Sequence, residues 1–86
     1  MDPTELPSSI RVAPTPIPDS VFVASGARVI GDVRLGIDSS IWYNAVVRGD
    51  INYIEVGARS NVQDGCVVHV TNAQPCIVGA DVTVGH

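Results

Sequence analysis

The stretch VFVASGARVIGDVRLGIDSSIWYNAVV, residues 21–47, returns a branched aliphatic residue every six positions, at Val23, Val29, Leu35, Ile41 and Val47. Four residues after each stands a small or branched one: Ala27, Val33, Ser39, Ala45 and Ile51. The beat begins with Ile17 and Val21. It resumes as Val56, Val62 and Val68, then Val78 and Val84, after two insertions that each lengthen one corner. A six-residue period fits neither an amphipathic helix nor an alternating strand, so it predicts a stacked-repeat solenoid.

Each hexad reads as a short strand plus a turn, with its first residue on the axis and its fifth small enough for close packing. Three hexads close one triangular coil, and coils stack at about 4.7–4.9 Å so that matching aliphatic residues form buried ladders. Residues 17–86 therefore form one all-β prism of parallel strands with between three and four coils. Residues 1–16 lack the beat and carry Pro3, Pro7, Pro14 and Pro16. They are expected to form a proline-rich arm that covers the first coil or reaches a neighbour. The beat is still running at Val84-Gly85-His86. The expectation at that end is an uncapped coil, either truncated from a longer protein or buried against another chain.

Eighty-six residues allow one small domain with little surplus core, so oligomerisation is expected. The chain is 45% hydrophobic, yet no apolar stretch approaches the roughly 20 residues of a membrane helix. With no basic and apolar leader at the N-terminus, the expectation is a soluble cytoplasmic protein without a membrane partner. Net charge is −4, and the five basic residues are isolated arginines, which argues against a nucleic-acid partner. Two cysteines make no disulfide framework. Cys66, fifth in its hexad, should point inward, and Cys76 falls in an insertion beside Pro75.

Two histidines, His69 and His86, follow ladder residues Val68 and Val84. Hexads three apart share a face, which puts these side chains on different faces of one prism. Packing around a three-fold axis would bring His69 of one chain toward His86 of the next. A hexad continuing the beat would return to the face of His69, where a further histidine would complete a three-histidine site. Three imidazoles plus an open position for water form the ligand set of a catalytic zinc site. Zinc lowers the pKa of its water to about 7 and so supplies hydroxide at neutral pH. On spacing alone, polar surface or interface roles for both histidines stay open.

The run from Ile41 through Trp42, Tyr43, Asn44 and Arg48 to Asp50, then Asn61-Val62-Gln63-Asp64-Gly65, Val67-Val68-His69 and Val82-Thr83-Val84-Gly85-His86 resembles the γ-class carbonic anhydrase family. The resemblance covers most of the chain from about residue 17 onward. It implies a left-handed parallel β-helix, against the usual right-handed preference, assembled as a homotrimer. Zinc, or iron or cobalt, would lie at each subunit interface, and the substrate would be carbon dioxide or bicarbonate. By motif, His69 and His86 match the first two metal ligands of the family, and the third lies five residues beyond the second. Arg48, Asp50 and Gln63 match positions around that site. The first two would make charge-assisted contacts across the interface, and Gln63 would orient bound water or bicarbonate.

One departure bears on rate. The best-established active members carry, in an acidic insertion after the first histidine, a glutamate proposed as proton shuttle, whereas Val70-Thr71-Asn72-Ala73-Gln74-Pro75-Cys76 has no carboxylate. Without that relay or the third ligand, this chain is expected to be inactive or weakly active. Two other classes stay open: a hexapeptide-repeat acyltransferase using acyl-CoA with a histidine base, and a non-catalytic trimeric scaffold. Acetyl-CoA binding distinguishes the first; trimer stability indifferent to chelator distinguishes the second. The open coil would also permit two trimers to stack.

Overall fold

The computed structural model describes residues 17–85 in full and Arg11–Val12 by backbone. Among the described residues nine strands follow in chain order: β1 Arg11–Val12, β2 Phe22–Val23, β3 Arg28–Leu35, β4 Ser40–Ile41, β5 Val46–Val56, β6 Asn61–Val62, β7 Val67–His69, β8 Cys76–Val78 and β9 Thr83–Val84. Every pairing is parallel. Strands of one coil pair only with those of the coil above or below, the arrangement of a left-handed parallel β-helix of about three turns.

The hexad ladders are the register of this solenoid. Val23, Ile41, Val62 and Val84 are successive partners on a first face. Val29, Val47 and Val68 line a second, and Leu35, Val56 and Val78 a third. Ile41, Val47 and Val62 in mid-stack are wholly buried. Burying each such side chain stabilises the fold by roughly 1.5–3 kcal/mol. Ser39 and Ser60, at fifth positions, are buried as well, and each hydroxyl donates to a backbone carbonyl, of Gly36 and Gly79 respectively.

Two corners turn through left-handed backbone. Gly26, Asn44 and Gly65 stack at one, and Asp38, Arg59 and Asp81 at another, all with positive φ. Aspartate and asparagine are among the few non-glycine residues that visit this region readily. The third corner lies inside β3 and β5, which run through it without a break. There the register jumps from Gly31↔Gly49 to Val33↔Ile54.

That jump corrects one inward position. Ile51, expected at an inward-facing fifth position, is 55% exposed, and Ile54 is buried in its place opposite Val33. Three inserted residues carry the chain around the corner before it regains the ladder. The second insertion falls at the same corner one coil later. Arg48 pairs with His69 before it and Ile54 with Cys76 after it. Cys76 therefore opens β8 and packs against the core rather than sitting in the insertion loop. Cys66 packs against the core as expected. β1 pairs with Ile30–Gly31 of β3, and the rest of the expected arm lies outside the described residues.

Candidate metal centre

Parallel pairing of β5 with β7 sets Arg48 directly beside His69 on the second face. Asp50, two residues past Arg48, points to the same side because side chains alternate along a strand. These three groups converge. His69 Nε2 lies 3.0 Å from Asp50 Oδ1, Arg48 Nε lies 3.3 Å from Asp50 Oδ2, and Arg48 Nη2 lies 3.4 Å from His69 Nδ1. All three are partly exposed, so the cluster sits on the prism wall and not in its core.

The hydrogen bond from His69 holds the Asp50 carboxyl below the usual aspartate range. Partial desolvation opposes the shift, while a bond from the residue's own backbone and the charges of Arg48 and His69 reinforce it. Asp50 is thus an anion at neutral pH.

Gln63 is elsewhere. Its backbone N–H donates to Val84 O at 3.0 Å on the first face, and its Nε2 donates to Asn61 Oδ1 at 2.6 Å. The structure brings Arg48, Asp50 and His69 together and leaves Gln63 on another face, as the hexad count predicts. His86 lies outside the described residues.

The enlarged corner adds groups that the motif reading passed over. Asn52 Nδ2 donates to Thr71 O at 3.4 Å, and the Gln74 N–H donates to Thr71 Oγ1 at 3.1 Å. His69, Thr71, Gln74 and Cys76 are among the residues lining an open hollow of about 370 Å³. Its signal in the sequence is that both breaks in the beat, Val47 to Val56 and Val68 to Val78, fall one coil apart at one corner.

A zinc ion of the kind the resemblance implies takes at least three protein ligands. Among the described residues no three histidine, cysteine or acidic side chains converge. The cluster offers one imidazole and one carboxylate, with a guanidinium against the second ring nitrogen. These residues of a single chain do not by themselves fit a bound metal.

Comparison with known proteins finds relatives. No family model matches the chain. It is 50% identical over 70 residues to a probable carbonic anhydrase of Methanocaldococcus jannaschii, covering 81% of this chain and 44% of that protein. It is 51% identical over 72 residues to the mitochondrial gamma carbonic anhydrase 2 of Arabidopsis thaliana, covering 77% and 26%. It is 47% identical over 73 residues to protein YrdA of Escherichia coli, covering 77% and 40%. The chain thus spans less than half the length of these relatives. Half of the aligned residues are shared across the coils that carry Arg48, Asp50 and His69, so the chain is similar to γ-class carbonic anhydrases over about four-fifths of its own length.

Proposed function

We propose that this chain is part of a γ-carbonic-anhydrase-like metalloprotein whose assembled form hydrates carbon dioxide reversibly. The observation that carries this reading is the convergence of His69 with the Arg48–Asp50 pair, in a chain half identical to proteins named carbonic anhydrase.

In this reading His69 contributes one imidazole to a metal, zinc or else iron or cobalt, at a boundary between subunits. His86 of a neighbouring chain contributes a second. Hexad phase motivates the crossing, because the register puts His69 on the second face and Val84, two residues before His86, on the first. A homotrimer that sets those two faces together brings Gln63, also on the first face, toward Arg48 and Asp50 of the next chain. A cation held there by His69 and the neighbour's His86 would supply Lewis acidity toward water. Arg48, a donor-only cation, favours the bicarbonate anion, and Gln63 orients a small polar ligand through its amide.

The test is zinc content, solution mass and carbon dioxide hydration, measured on the chain and on its His69→Ala variant. Metal bound per chain should fall with His69→Ala. Undiminished metal in that variant would remove His69 from the site and end the reading.

A further inference from the structure

His69 is flanked by one group that can only accept and one that can only donate. The ionised Asp50 carboxylate, 3.0 Å from Nε2, has no proton to give. The Arg48 guanidinium, 3.4 Å from Nδ1, has no lone pair. Both contacts are satisfied together only when the ring carries its proton on Nε2 and its lone pair on Nδ1. Arg48 and Asp50 are held to each other as well, at 3.3 Å, so the two arms form one unit.

We infer that Arg48 and Asp50 form a latch on His69, fixing its Nε2–H tautomer and occupying both ring nitrogens, so that a cation gains the ring only by displacing them. This deepens the proposed function and rests on it for the identity of the competitor. Asp50 makes the shorter contact and is the stronger arm. It acts through His69 and is a positioning residue. The latch adds to the misfit between one chain and a metal, because the one imidazole at the cluster is already engaged within its own chain. Release then belongs to the step in which another subunit or a cation claims one of the three groups.

Two readouts test this. In metal-free protein labelled with ¹⁵N on histidine, the ring nitrogen shifts of His69 should report the Nε2–H tautomer, and Asp50→Ala should return the ring to mixed tautomers. A wild-type ring already mixed, or held as Nδ1–H, overturns the latch. For competition, Co²⁺ titration should compare Asp50→Ala with Asp50→Asn. Both lack the charge, and only the second keeps an acceptor for Nε2–H. Asp50→Ala should bind about two- to fivefold more tightly than Asp50→Asn, the scale of one exposed neutral hydrogen bond. Equal affinity, or tighter binding by Asp50→Asn, overturns the latch while leaving the proposed function standing. Co²⁺ binding that survives His69→Ala, or none in any chain, overturns the proposed function, and the tautomer is still decided by the metal-free shifts.

Discussion

Arg59 and Asp81 meet across one coil through two hydrogen bonds, Nε to Oδ1 at 2.7 Å and Nη2 to Oδ2 at 3.0 Å, from backbones with φ of 60° and 59°. The hydrogen bonds from Arg59 hold the Asp81 carboxyl below its ordinary 3.8, against some desolvation and with help from the arginine charge. A carboxylate with a depressed folded pKa contributes stability that is complete above the unfolded value and lost as pH falls through the folded one. Asp81→Asn should therefore be less stable than wild type at about pH 6, by a gap that narrows at about pH 2.5. Both side chains are more than half exposed, so the difference is small and shrinks in high salt. Urea melts at the two pH values decide it, and a gap unchanged at low pH would mean the carboxylate charge is not its source.

Ile41 lies between Val23 and Val62 on the first ladder and has no exposed surface. Ile41→Ala should cost about 2–5 kcal/mol, transfer and cavity together. A domain this small has little more than that to lose, so the cooperative urea transition should weaken or vanish. Ile77, 55% exposed on the third face, is the control, with Ile77→Ala expected within about 0.5 kcal/mol of wild type.

Gly49 separates Arg48 from Asp50, and a Cβ there would stand 2.6 Å from the Asp32 carbonyl oxygen and 3.0 Å from that of Asn52. Both neighbours are backbone and cannot swing aside. Gly49→Ala should cost about 1–3 kcal/mol by overpacking and pull Asp50 off His69, seen as a changed ring nitrogen spectrum of His69. A Cβ at Gly85 meets nothing within 4 Å, so Gly85→Ala should leave both stability and that spectrum alone.

The faces of the prism were legible because a buried ladder needs an apolar residue at each return to the axis. Counting sixes from Val23, and resuming at Val56 and Val78 after the two insertions, gives the observed partners on all three faces, and it places Arg48 beside His69 with Gln63 on another face. Counting fails where the chain leaves the period. Ile51 and Ile54 are equally apolar, and only the path of the three-residue corner decides which is buried. Cys76 was obscured by the same corner one coil later. The Asp50–His69 contact joins a corner to a strand 19 residues away, so no periodicity encodes it. Its three residue types were evident from the motif, but their bonding was not.

Ser60 joins two coils where Ser39 serves only its own turn. The Ser60 hydroxyl donates to Gly79 O and accepts the Val82 N–H at 2.9 Å, while Ser39 Oγ donates to Gly36 O, three residues back, at 2.8 Å. Ser60→Ala strips partners from a carbonyl and an amide that belong to the next coil, at about 1–3 kcal/mol for unsatisfied groups. Val82 is itself 39% exposed, so water can reach those groups and the cost should sit at the low end. The local effect is larger than the global one. β9 is paired on one side only among the described residues, and Val82, just before it, is tied down by its N–H to Ser60 and by its carbonyl to the Asn61 N–H at 2.9 Å. Hydrogen exchange should accelerate at Val82 and through β9 in Ser60→Ala, and hardly change there in Ser39→Ala. Uniform acceleration in both variants would mean the two hydroxyls stabilise the fold alike, without the bridge between coils.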